Sequence, residues 1–100
     1  SINFTSKFIN YTIINLGGLI MDIYTETKNR LLELLEVNKI SIRKLALDSG
    51  IAPSTIKNIL YGKSINPGVV TLKILCDGLG ITIVDFFNTE TFKTLEQEIK

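Results

Sequence analysis

The stretch from Ser41 to Gly62, Ser-Ile-Arg-Lys-Leu-Ala-Leu-Asp-Ser-Gly-Ile-Ala-Pro-Ser-Thr-Ile-Lys-Asn-Ile-Leu-Tyr-Gly, constrains this chain more than any other. Its spacing predicts two short helices joined by a tight turn. Leu45 and Ala46 fall on the inner face of the first, and Ile56, Ile59 and Leu60 on the inner face of the second, with Ile51 just after the turn. Ser41 is placed to cap the first helix, which runs to about Ser49. Gly50 then supplies a turn residue for which a positive φ is cheap. Pro53 suits a first helical position, where its missing N–H costs nothing, although Ala52 before it is a weak cap. Helices this short are not stable alone, so they must share a core. Ala46 is small enough to let them cross closely.

The remaining chain reads as further helices around that pair. From Ile23 to Val37, the residues Ile23, Thr27, Leu31, Leu34 and Leu35 follow the i, i+3, i+4 rule. Glu26, Lys28, Arg30, Glu33 and Glu36 are expected to face outward. Asp22 or Thr25 is the candidate cap, and Asn38 and Lys39 end the helix. Residues 63–68 carry Pro and Gly together and read as a loop. A fourth helix is expected from Val69 to Leu79, with Val70, Ile74, Leu75 and Leu79 as its apolar stripe and Gly80 as its stop. A short fifth, from Thr82 or Ile83 to Asn88, carries Val84, Phe86 and Phe87. The tail 89–100 has Phe92, Leu95 and Ile99 on one side and suits one or two more amphipathic turns. The fold class is therefore all-α, a compact five-helix domain over residues 21–88 followed by the tail.

Composition limits the alternatives. One hundred residues, 45% of them hydrophobic, make one domain with one modest core. The chain has no apolar run of about 18 residues that would span a membrane. One Cys and no His rule out a disulfide framework and leave no zinc-ligand set, so neither a metal nor a cofactor is expected. Cys76 lies in an apolar helical stretch, reads as core, and fits a reducing cytoplasm. Residues 1–20 carry a single charge and are rich in Ile, Asn, Phe and Tyr. They do not fit a signal peptide. A β-prone arm that pairs with another chain is one reading. The preferred one is translated leader sequence, with Gly17-Gly18 encoded by a ribosome-binding GGAGG and Met21 as the natural start.

The formal net charge of +1 is unevenly divided. Between residues 39 and 63, Lys39, Arg43, Lys44, Lys57 and Lys63 face only Asp48, a net of +4. The flanking stretches, 21–38 and 64–100, are each −2. Positive charge thus gathers on the two-helix segment, where a local basic face suits a polyanion. The outward residues of the second short helix are Ser54, Thr55, Lys57, Asn58 and Tyr61, a polar face with one charge. Such a face can enter a groove and hydrogen-bond base edges.

The series Leu45-Ala46, Gly50-Ile51, Ser54-Thr55-Ile56, Ile59, Gly62-Lys63, Pro67, Leu72, Leu75, Leu79-Gly80-Ile81, Asp85 and Phe87 resembles the phage-repressor-like helix-turn-helix family, the Cro/repressor (XRE) type. The resemblance runs from about Ile23 to Asn88. It implies a lambda-repressor-like fold that binds a double-stranded DNA operator, commonly as a homodimer, as a transcriptional regulator, with repression the expected role. On the matching positions, the base-reading residues are Pro53, Ser54, Thr55, Lys57 and Asn58, with Pro53 limited to apolar contact. The DNA-backbone contacts are Arg43, Lys44, Tyr61, Lys63, Ser64 and Asn66. Tyr61 has a second reading, closing the end of its helix against the first helix. Lys63 also has a structural one, since a helix C-terminus favours a cation.

The family often has Gln at the second residue of its second helix. Here that residue is Ile42, expected to be exposed and so to give up the hydrogen bond of the usual phosphate clamp, with packing on Ile40 or the tail, or contact with a partner, as its alternatives. Relatives that act as antitoxins or partner-dependent regulators supply the rival reading, a protein-interaction module using Ile42 and the 92–99 tail. An enzyme is not expected, because no nucleophile–base set and no phosphate-cradling glycine loop is present.

Overall fold

Short polar side chains start most of the helices in the computed structural model, which describes residues 22–95 and 97–99. Among them the chain forms α1 (Ile23–Asn38), α2 (Ile42–Ser49), α3 (Pro53–Leu60), α4 (Val69–Leu79), α5 (Ile83–Phe87) and α6 (Glu90–Lys93), with no strand. The all-α class and its five principal helices are as expected, with α6 as a sixth, one-turn helix. The leader or arm assigned to residues 1–20, and Met21, lie outside the described residues.

Asp22, not Thr25, caps α1: its carboxylate accepts the Thr25 N–H at 2.8 Å. The Ser41 hydroxyl accepts the Lys44 N–H at 3.0 Å to start α2. Thr82 does the same for Asp85 in α5, also at 3.0 Å. Each such acceptor satisfies one of the donors a helix leaves open at its start. Neither α3 nor α4 has a side-chain cap. Gly50, with φ of 70°, ends α2 in the left-handed conformation the turn requires.

The core has two parts. Leu31 and Leu35 of α1 meet Leu45 and Ala46 of α2, Ile56, Ile59 and Leu60 of α3, and Leu75 of α4. A second cluster joins Leu34, Cys76 and Phe86, with Phe87 and Phe92 packed on it. Phe87 meets both Phe86 and Phe92 edge-on, at centroid distances of 4.8 and 4.9 Å, a favoured aromatic geometry. Half-buried Leu79 touches both clusters. Because Phe92 belongs to this packing, the folded unit continues past Asn88 into α6, whereas Ile99 is exposed.

Several inward and outward assignments are corrected. Glu26 is buried, not outward, and one carboxylate oxygen, Oε2, has no hydrogen-bond partner. Arg30 is largely covered too: its guanidinium donates to the Phe86 carbonyl at 2.7 Å and the Asp85 carbonyl at 2.8 Å. The reason is that α1 is covered on two sides, by the α2–α4 layer and by α5 and α6, while the sequence period marks only one stripe. Arg30 thereby satisfies carbonyls near the end of α5, where a cation is favoured. Ile23 is partly exposed.

The buried stripe of α4 is Leu72, Leu75 and Cys76, with Leu79 half-buried. Val70 stands two residues from Leu72, about 200° round the helix, and is exposed. Val84 is exposed for the same reason, two residues from buried Phe86. Ile42 is not exposed but half-buried against the first cluster. No helix among the described residues is long and apolar enough to cross a membrane.

Candidate nucleic-acid interface

Helix α3 divides cleanly. Ile56, Ile59 and Leu60 are buried in the core, while Pro53, Ser54, Lys57, Asn58 and Tyr61 are exposed. Thr55 sits between the two faces, half-buried, with its N–H on the Ala52 carbonyl at 3.0 Å. The five residues expected to read bases therefore share one short helix. Four of them are exposed, and Thr55 borders the core.

The expected backbone-contact residues lie at both ends of the motif. Arg43 and Lys44 are exposed in the first turn of α2. The Lys44 ammonium is engaged with the Asp48 carboxylate one turn later, at 3.0 Å, so any phosphate it meets competes with that pair. An exposed pair of this kind contributes little and breaks easily. Beyond α3, Gly62 has φ of 86°, a conformation that L side chains rarely adopt. This reversal lets the Ser64 N–H return to the Asn58 carbonyl at 2.8 Å, which ties the loop beside α3. Lys63 and Asn66 are exposed on that loop, and Ser64 is half-buried.

Tyr61 does not close α3 against α1, for its side chain is exposed. That place is taken by Tyr24, whose hydroxyl donates to the Ile59 carbonyl at 2.7 Å. Tyr24 was not singled out from the sequence. Its only signal there is an aromatic residue in the first turn of α1, and nothing local reveals a partner 35 residues away.

Among the described residues no group of three or more His, Cys, Asp or Glu could hold a metal ion. Cys76 is fully buried, away from the exposed face of α3. Burial pushes its thiol above the ordinary range, with the neighbouring Asp77 charge adding to the effect. What the exposed surface of α2, α3 and the following loop can offer is hydrogen-bond donors and acceptors beside cations, which is the chemistry of groove and phosphate contact.

A family model described as a helix-turn-helix domain matches residues 29–91, from within α1 into α6. No curated protein matches the chain. Among solved structures, one described as the prophage Lp1 protein 11 is 26% identical, with a TM-score of 0.64, over 73% of this chain and 96% of the other. With the two-helix motif folded as its spacing demands and more than half the chain matched, this protein belongs to the helix-turn-helix domain family, of the phage-repressor type, and its fold is that of a DNA-binding regulator.

Proposed function

We propose that the chain is a sequence-specific double-stranded DNA-binding protein of the cytoplasm, a repressor that acts by occupying an operator. The observation that carries this reading is the exposed face of α3: Ser54, Lys57 and Asn58, with Pro53 and Thr55 at its start. These five read bases, while Arg43, Lys44, Tyr61, Lys63, Ser64 and Asn66 hold phosphates and set register. One eight-residue helix reads one half-site. The working form is thus a homodimer on two half-sites about one helical turn apart. It needs no cofactor and does no catalysis.

The test is binding to DNA from upstream of this protein's own gene, compared with random duplex of equal length, across a salt series. Affinity should fall steeply with salt, since phosphate contacts release counterions. Lys63→Ala should weaken both duplexes alike and reduce the salt slope by about 1. Asn58→Ala should cost about 1–3 kcal/mol at one base pair and relax preference there. Equal losses on both duplexes for both variants would contradict this division of labour.

A protein-interaction module on the same fold is the second reading. Ile42 and Phe92 no longer support it, because both pack inward. Exposed Ile65, Val69, Val70 and Val84 favour it instead, as apolar surface is where partners dock. Binding that is absent or indifferent to sequence would move the search to a protein partner.

A further inference from the structure

We propose that Tyr24 is a positioning residue for DNA recognition, holding the last turn of α3 at a fixed rotation and so setting base selectivity. The inference rests on the DNA-binding reading above. Tyr24 stands on α1, outside the exposed face of α3 and before the residues matched by the family model.

The argument begins with how α3 is held. Ile56, Ile59 and Leu60 fasten it to the core by apolar contact, which is non-directional and permits small rotations. The start of the helix has no side-chain cap. Among the described residues, the one side-chain hydrogen bond that joins residues 53–68 to another element is Tyr24 Oη to the Ile59 carbonyl, at 2.7 Å. That carbonyl lies in the final turn, where helix acceptors lack partners of their own. The phenol therefore satisfies an orphan acceptor and adds a directional restraint.

The restraint sits beside the contact residues. Lys57, Asn58 and Tyr61 are exposed on either side of Ile59 in the chain. Side-chain ends stand about 5–6 Å from a helix axis, so a turn of about 10° moves them by about 1 Å. Base hydrogen bonds tolerate little of that. The same phenol reaches the turn after α3: a Cβ on Gly62 would lie 3.9 Å from Tyr24 Oη. Together with Ile65, Asn66 and Pro67, Tyr24 lines a cleft of about 150 Å³ under the loop. One side chain thus bonds the reading helix and borders the loop assigned to phosphate.

Tyr24→Phe keeps the ring and removes the hydroxyl. A preferred duplex is first selected from a random pool with the unaltered protein. Affinities of both proteins for that duplex and for a scrambled one are then measured at fixed salt, along with amide exchange of residues 61–66 and thermal stability. The expected result is a loss of about five- to tenfold on the selected duplex, as for one hydrogen bond. Binding to the scrambled duplex should fall much less, so that the ratio between the duplexes drops, and exchange at 61–66 should be faster. An unchanged ratio between the duplexes overturns the proposal. So does a parallel loss on both with a large fall in thermal stability, which would make Tyr24 a stability residue only. An unaltered protein that selects no duplex overturns the DNA-binding reading itself, and the exchange rates then report separately whether Tyr24 restrains α3.

Discussion

Asp22 stands alone before the first helix and does two things there. It accepts the Thr25 N–H and it places a negative charge at a helix start. The hydrogen bond from the Thr25 backbone is the main cause that holds its carboxyl below the usual 3.8, with burial opposing it. A depressed folded-state value means that this contribution is complete above the unfolded value and is lost as pH falls through the folded one. Asp22→Ala should therefore cost about 1 kcal/mol at neutral pH. In urea titrations the gap between variant and parent should shrink as pH drops below 3.8, and a gap of constant size would contradict the cap's charged role. Asp22 was legible because capping is local. Four residues on, Glu26 was not, because its burial follows from how other helices pack around α1 and not from its place in the helical period.

Where α2 crosses α4, the two helices approach closely at a glycine. A Cβ added at Gly78 would clash with Ser49 Oγ and lie 3.1 Å from Leu45 Cδ1. Gly78 is therefore a spacing requirement inside a helix, where glycine is otherwise unfavourable. Gly78→Ala should destabilise by about 1–3 kcal/mol through overpacking, read as a lower denaturation midpoint. The buried Ser49 hydroxyl has no hydrogen-bond partner, so Ser49→Ala should cost little alone and should recover part of the Gly78→Ala loss. A full, additive loss in the double variant would show that Leu45 or the Ser49 Cβ, not the Ser49 hydroxyl, sets the clash. The small residue expected to permit close crossing was Ala46, between α2 and α3. Ala46 is indeed buried, but a close approach that depends on a glycine lies between α2 and α4, which no spacing within the motif could reveal.

The two clusters share α1, α4 and Leu79, so they should unfold as one cooperative unit. Cys76 provides a reporter: it is fully buried in the second cluster, and its thiol is held above the ordinary range by burial. Thiol reagents should reach it only after the chain opens. Leu45 lies in the first cluster and is also fully buried. Leu45→Ala should cost about 2–5 kcal/mol. Under slow-labelling conditions it should speed Cys76 modification by the factor that loss implies. Faster unfolding without faster labelling would mean that the clusters open separately. The DNA-facing reading depends on this unit, because α3 contributes three side chains to the first cluster and presents only its other face to solvent.

The helix boundaries, the turn at Gly50, the polar face of α3 and its family were determined by the sequence itself, since caps, glycines, prolines and the 3.6-residue period act within a few residues of one another. Tertiary structure decided the rest. It chose which residues of α1 lie buried on a second side, turned Val70 and Val84 outward, packed Ile42 and Phe92 inward, paired Arg30 with the carbonyls of α5 and Tyr24 with that of Ile59, and set α2 against α4 at Gly78. Each of these is a contact between elements distant in the chain. A period along one helix reports a single face, and cannot say how many neighbours will cover it or where their polar atoms will fall.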